Sequence, residues 1–344
     1  MTTAYVTHPR CVEHDLPDHP EHAGRIRAVW AQLEADGLIP RLKSMEAQPA
    51  DLEAILAVHT AEYLDLLERI SQQDRMVGLD ADTYVAPVSY EIARLSAGGV
   101  INAVADVAEK RADNAFAIVR PPGHHALSQR GMGFCLLSNV AIAARYAQRT
   151  LGLERILIID DDVHHGNGTE AIFYDDPSVM FISTHQFPHY PGTGAIEDTG
   201  RGKGTGYTIN IPLPIGHGDS SFAAIVDQVI WKAAERFKPD LILVSTGFDA
   251  HWADPLAGLT LSLTGYAHIS REFVKMADAL CDGRIVFVME GGYDLTALGH
   301  GWANIARVLL RDETIIDPLG QADIRRTAPD IAPILARVKQ IHGL

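Results

Sequence analysis

The sequence predicts an α/β fold: a mainly parallel sheet with helices on both faces. Three observations carry this. Short apolar, β-branched runs such as Ile156-Leu-Ile-Ile159 read as strands buried on both sides. These runs alternate with helical patterns, and strand–helix alternation with right-handed crossovers gives a parallel sheet covered on both faces. The runs also end in polar clusters, where open α/β sheets place their ligands.

In chain order, Asp18-His19-Pro20-Glu21-His22 precedes a helical pattern from Arg25 to Leu38. His19 and His22 have the donor atoms for a metal, but loop histidines ordinarily bind none. Asp51 to Leu67 reads as two short helices with His59 in a turn, Ser71 to Val85 as a polar loop, and Val88 to Lys110 as a long helix. The strand Phe116–Val119 leads into Arg120-Pro-Pro-Gly-His-His125, and Ser138 to Thr150 is an Ala-rich helix. The Ile156 strand opens Asp160-Asp-Asp-Val-His-His-Gly-Asn-Gly168, after which Glu170 to Tyr174 begins a short helix. Strands follow at Val179–Ser183 and Tyr207–Ile211, then a helix at Ser220–Phe237 and a strand at Leu241–Val244 that ends in Ser245-Thr-Gly-Phe-Asp249. Tyr266–Leu280 is a helix, Arg284–Met289 a strand ending in Glu290-Gly-Gly-Tyr293, and Leu295–Leu310 a helix, with a last short helix near the C-terminus. With no internal repeat, low-complexity tract or linker, residues 1–344 count as one domain.

Composition narrows the function classes. At 344 residues and 47% hydrophobic content the chain can bury a large core. Its 29 Lys plus Arg against 44 Asp plus Glu give a net charge of -15, which argues against nucleic acid as a partner and suits a cationic one. Solubility alone would also explain that charge. The three cysteines, Cys11, Cys135 and Cys281, form no CxxC pair, which fits a reducing compartment. Met1 to His14 has no apolar signal core and no run approaches membrane-spanning length, so a soluble cytoplasmic protein is expected, with no membrane partner. The Gly-rich loop Gly192 to Gly206 is not a phosphate loop: Glu197 occupies the first glycine position and Gly204, not Ser or Thr, follows Lys203. Neither a G-x-S-x-G elbow nor an H-E-x-x-H helix occurs.

The chemistry concentrates at four strand ends. Residues two apart on a strand share a face, so Asp162 and His164 aim at one point beyond the Ile156 strand. An Asp oxygen and a His nitrogen converging there suggest a metal site, although turns rich in Asp, Gly and Asn follow many strands. Asp249 completes a set of two carboxylates and one imidazole, which leaves a coordination position open for water as catalytic zinc requires. His124 and His125 follow a rigid Pro-Pro-Gly and can divide general-base and general-acid work. Tyr293 follows two glycines, Gly291 and Gly292, and its phenol can donate to a developing oxyanion.

Together, Arg120-Pro-Pro-Gly-His-His125, Gly133-Phe-Cys135, Asp160 to Gly168, Gly247-Phe-Asp249 and Glu290-Gly-Gly-Tyr293 resemble the zinc-dependent histone deacetylase family. The similarity is to its class II enzymes and bacterial amidohydrolase relatives, including acetylpolyamine amidohydrolases, and runs from about His19 to Leu310. The resemblance implies a three-layer, arginase-like fold around a mainly parallel eight-stranded sheet. It implies zinc on Asp162, His164 and Asp249, His125 as general base and acid, His124 assisting electrostatically, and Tyr293 on the oxyanion. Asn167 would orient His125. Asp160 would orient His124 and, with Ser183 and the backbone at Thr184, hold a structural potassium ion. His165, the second motif histidine, is not a zinc ligand in this pattern, and Arg25 resembles the arginine of an internal acetate tunnel.

The resemblance also places the substrate channel. Phe134 and Tyr190 match the aromatic pair flanking an acyl-lysine stem, with Gly133 at the wall and Gly292 beside the phenol. Leu256, in Asp254-Pro-Leu-Ala-Gly258, matches the gatekeeper at the mouth, where polyamine-selective relatives carry Glu. This, and the short Ser71–Val85 loop, favour an acyl-lysine protein or peptide over a small acylated amine such as an acetylpolyamine. A non-catalytic acyl-lysine binding module would dispense with Tyr293 or His125, and both are present. Asp161 departs from the pattern, standing where relatives have Trp or Leu. It reads as a solvated loop residue or a contact between subunits of a homo-oligomer, with its side chain turned away from the metal ligands.

Overall fold

In a computed structural model, which describes residues 1–323 and 329–344, eight strands form one parallel sheet. They are β1 (Thr3–Thr7), β2 (Lys43–Glu46), β5 (Asn114–Ala117), β6 (Ile156–Asp160), β7 (Val179–Gln186), β8 (Thr208–Leu213), β9 (Leu241–Thr246) and β10 (Ile285–Met289). The order across the sheet is β2-β1-β5-β10-β9-β6-β7-β8. A separate antiparallel hairpin joins β3 (Val77–Gly78) to β4 (Tyr84–Val85).

Six of the eight strands correspond to the apolar runs; β1 and β2 do not. Thr3-Ala-Tyr-Val-Thr7 is short and has little apolar mass, although all but Thr7 is buried. Lys43-Ser-Met-Glu46 is an edge strand that alternates half-buried and exposed residues, so it carries polar side chains and no hydrophobic run. Likewise the polar Ser71–Val85 stretch contains the small hairpin as well as loop.

Helices cover both faces. On one side lie α2 (Leu52–Leu56), α3 (Ala61–Ser71), α4 (Ser89–Ala108) and α5 (Asn139–Arg149). On the other lie α1 (Gly24–Ala35), α7 (Asp219–Ile225), α8 (Trp231–Phe237), α9 (Leu263–Leu280), α10 (Leu295–Leu309) and α11 (Ala332–His342). The short α6 (Asn167–Phe173) follows the β6 loop. The period-two rule is visible in β6: Ile156 and Ile158 enter the first layer, Leu157 and Ile159 the second. The expected Ser220–Phe237 helix is a continuous rod in which the π turn Val226–Ile230 joins α7 to α8. No helix among the described residues is long and apolar enough to cross a membrane.

Two consequences position the site. The four strands whose ends carry the polar motifs, β5, β10, β9 and β6, are adjacent at the centre of the sheet. And β10, late in the chain, pairs with β5 on one side and β9 on the other, joining the β2-β1-β5 block to the β9-β6-β7-β8 block.

Candidate active site

The loops after β6 and β9 bring Asp162, His164 and Asp249 together, with one donor atom from each lying within 4.8 Å of the others. His164 Nδ1 is 3.2 Å from an oxygen of Asp162 and 3.2 Å from one of Asp249. Both carboxylates are fully buried, and neither pairs with a Lys or Arg among the described residues. Burial and the adjacent Asp162 carboxylate raise the pKa of Asp249. A buried pair of like charges with an imidazole beside it is a donor set that suits a divalent cation of the zinc type. The backbone makes room for it. A Cβ on Gly247 would meet Asp249 Oδ1 at 2.6 Å, and one on Gly291 would meet Asp249 Cγ at 2.9 Å. The Gly291 N–H instead donates to Asp162 at 2.8 Å, and the Val163 N–H to Asp249 at 2.9 Å.

The loop after β5 supplies two neighbouring imidazoles, His124 and His125, with ring centroids 3.9 Å apart and planes tilted by 43°. Their partners differ. His124 Nδ1 lies 3.1 Å from the Asp160 carboxylate, and His125 Nδ1 lies 2.7 Å from the Asn167 side-chain oxygen. Burial alone would lower His124, but Asp162 and Asp160 outweigh it and hold its pKa well above the ordinary value. Burial, with His124 and His164 alongside, pushes His125 well below. A cation on Asp162 would weaken the pull on His124. The hydrogen-bond asymmetry would stay: an acceptor on Nδ1 fixes the proton there and leaves Nε2 of a neutral His125 basic.

A cavity of about 180 Å³ opens over these groups, lined by His124, His125, Gly133, Phe134, Tyr190, Leu256 and Tyr293 among others. Gly133 adopts φ +55°, and a Cβ there would run into the His125 ring. Phe134 is left-handed at φ +69° without being glycine, a conformation that persists only where surroundings impose it. Its ring stands edge-on to Tyr293 at 5.9 Å and to His19 at 4.7 Å, so His19 is part of the wall's backing. Tyr190 stands edge-on to His125 at 5.1 Å. Burial raises the Tyr293 phenol well above its ordinary pKa, keeping it a hydrogen-bond donor. The Arg25 guanidinium carbon sits 4.9 Å from the centre of the same ring. Gly292 is one step behind the wall: Gly291 lines the cavity, whereas Gly292, at φ +113°, packs on Phe248 and its carbonyl accepts from Arg25 at 2.7 Å.

Asp160, Ser183 and Thr184 meet because β6 and β7 pair with Asp160 opposite Ser183. All three are buried. The Ser183 hydroxyl lies 2.9 Å from His185 Nδ1, and the Thr184 hydroxyl donates to the Asp160 carbonyl at 3.4 Å.

Asp161 corrects the sequence reading. It is 2% exposed, neither solvated nor on a surface another subunit can reach, and among the described residues neither carboxylate oxygen has a hydrogen-bond partner. Burial, reinforced by Asp160, raises its pKa well above the carboxylate range. The side chain follows Leu157 and Ile159 in register, toward the α9 layer, where the Tyr266 hydroxyl also has no partner among the described residues. A buried polar group without a partner costs about 1–3 kcal/mol. Asp161→Leu is therefore expected to raise the thermal unfolding midpoint, by a gain of about that size. A lower midpoint would show that the carboxyl is satisfied by bound water.

Several site residues were not legible beforehand. Asp82, between β3 and β4, lines the channel, and Asp80 is close enough to raise its pKa after burial has done so. Glu290 accepts from the Gly123 and His124 amides at 2.7 and 3.1 Å, fixing the histidine loop to the end of β10. Beneath it, Glu21 pairs bidentately with Arg120, at 2.5 and 2.6 Å, and accepts from Arg25 at 3.0 Å. Glu290, Glu21 and Arg120 stand inside sequence motifs with nothing there to show their pairing; single polar residues in a loop, such as Asp82, have no period to mark them.

The family model of the histone deacetylase domain matches residues 19–309. The chain belongs to the histone deacetylase family. Against a protein named probable deacetylase from Archaeoglobus fulgidus, this family member is 45% identical over 86% of its own length and 82% of the other's. Against histone deacetylase 14, chloroplastic, of Arabidopsis thaliana, the identity is 39%, over 96% and 82%. Human histone deacetylase 9 is 35% identical across 97% of this chain but only 35% of that protein. Among solved structures, the HDA15 HD domain superposes with a TM-score of 0.90 at 34% identity, covering 99% of this chain and 94% of the other. The eight-stranded sheet is therefore the deacetylase fold, and membership makes the chain a deacetylase-type hydrolase.

Proposed function

We propose that this deacetylase removes acetyl from an acylated ε-amino group, with zinc held by Asp162, His164 and Asp249. The observation that carries it is the convergence, at the floor of one aromatic-walled channel, of that donor set, an asymmetric histidine pair and a phenol. Zinc, when bound, polarises the scissile carbonyl and lowers the pKa of water. His125, neutral and basic at Nε2, takes the proton of the attacking water and returns it to the departing amine. His124, tied to Asp160, keeps positive charge beside the developing anion. Tyr293 donates its phenolic proton in a hydrogen bond to the oxyanion. Phe134, Tyr190 and Gly133 grip the aliphatic stem, and Leu256 stands at the mouth. Asp160, Ser183 and Thr184 would hold a structural potassium ion that stiffens the loop bearing the zinc ligands. The whole chain serves as one domain under this reading, since β10 joins both halves of the sheet.

A zinc chelator should abolish acetate release from an acetyl-lysine peptide, and added zinc should restore it; undiminished turnover in the metal-free protein would refute the reading. One observation favours a small acylated amine instead: the Asp82 carboxylate at the channel, with Asp80 nearby, suits a second ammonium group. In parallel assays, a higher kcat/KM on the peptide supports acyl-lysine, and a large preference for acetylspermidine supports the amine.

A further inference from the structure

The channel has two walls from distant parts of the chain. One ends in Tyr293, just past β10, and the other in Leu256, in the loop after β9. A single buried carboxylate lies between them. Asp254 is 6% exposed and makes no ion pair among the described residues. Its Oδ2 accepts the N–H of Tyr293 at 2.7 Å and that of Asp294 at 3.3 Å. Its Oδ1 accepts the N–H of Leu256 at 3.0 Å. Burial and the nearby Asp249 push Asp254 up to about 7, and these three amides act against that shift.

The neighbours of this carboxylate extend the connection. The Leu256 carbonyl accepts from His189 Nε2 at 3.1 Å, and the His189 ring stacks on His164 at 5.1 Å. Asp294 caps α10, accepting from the Ala297 N–H at 2.8 Å. Neither Leu256 nor Tyr293 gains anything chemical from Asp254; each is held by its backbone. Tyr293 follows Gly292 at φ +113°, a joint with little stiffness of its own, so its direction depends on what its amide is tied to.

We infer that Asp254 is a positioning residue that clasps the oxyanion-binding phenol to the channel-mouth loop, so that the two walls are set as a unit. This deepens the proposed deacetylase reading and rests on it for the role of Tyr293. A displacement of about 1 Å at a reacting centre costs up to ~100-fold in rate. Asn at this position keeps the volume but replaces one acceptor with a donor, so it can serve one wall and not both.

The test measures kcat, KM, bound zinc and amide hydrogen exchange in wild type, Asp254→Asn, Tyr293→Phe and the double variant. Asp254→Asn is expected to lower kcat about 10–100-fold, with zinc content unchanged and KM altered far less. In the Tyr293→Phe background it should cost under about 3-fold, because the phenol it aims is gone. Exchange should rise at the Tyr293 or the Leu256 amide. An equal loss in both backgrounds, an unchanged kcat, or loss of zinc would overturn the inference. If Asp254→Asn does not fold, Asp254→Glu, which keeps the charge and shifts it by one methylene, is judged by the same outcomes. Wild type without zinc-dependent turnover defeats the deacetylase reading alone. The clasp is then decided by exchange, and unchanged protection at both amides sinks it.

Discussion

Asp249→Asn is expected to take acetate release below detection and to leave the purified protein without stoichiometric zinc. The carboxylate it removes is one of the two anionic donors in the proposed zinc set, and both would be needed to balance a dication in a fully buried site. The fold should survive. Asn keeps an oxygen for the Val163 N–H, and the change relieves the repulsion between Asp249 and Asp162. Removing one member of a buried like-charge pair does not leave its neighbour stranded, because Asp162 still has the Gly291 N–H and His164. Zinc titration separates the two effects. Ligand that binds only the native state stabilises it by about 2.7 kcal/mol at a hundred times Kd, so wild type should gain thermal stability with zinc and the variant should not. A variant that keeps one equivalent of zinc and wild-type turnover would remove Asp249 from the ligand set.

Tyr293→Phe is expected to lower kcat by about two to three orders of magnitude, the range for losing one oxyanion donor. KM and zinc content should stay near wild type. The ring itself is retained, together with its edge contact to Phe134 and its place by Arg25. Because burial holds the phenol protonated well above its ordinary range, wild-type activity should show no alkaline limb from Tyr293 near pH 10, and the size of the Phe effect should be the same across neutral pH. A loss of less than about 3-fold would mean that the oxyanion is stabilised by other groups.

The parts of this molecule that could be read from its sequence share a property: their geometry is local. Asp162 and His164 are two apart just past the end of β6, so a short stretch of one loop is enough to bring them together. The buried strands β6, β7, β9 and β10 each open on a continuous apolar run of four or more residues, which is what a doubly covered parallel strand demands. Joining Asp249, His125 and Tyr293 to that point rested on their places at the ends of parallel strands and on the family resemblance, since no local spacing links them. Non-local facts were not available in the same way. The burial of Asp161 depends on α9 lying over the end of β6, and Asp254 matters only because β9 and β10 are neighbours. The edge strand β2 had no apolar run to declare it, being half-exposed along its length.

The place of β10 in the sheet has a consequence for how the chain matures. Until residues 285–289 are made, β5 and β9 each present an open edge, and the two blocks of the sheet have no strand pairing between them. Exposed edges of buried-type strands are hazards for association during synthesis, and pairing across such a distance in sequence is slow. The same insertion that seals the edges carries the Gly291 N–H to Asp162 and Tyr293 to the cavity. A chain cut before β10 is therefore expected to associate and to lack activity, so that the strand which would give the molecule its chemistry is also the one that closes its exposed edges.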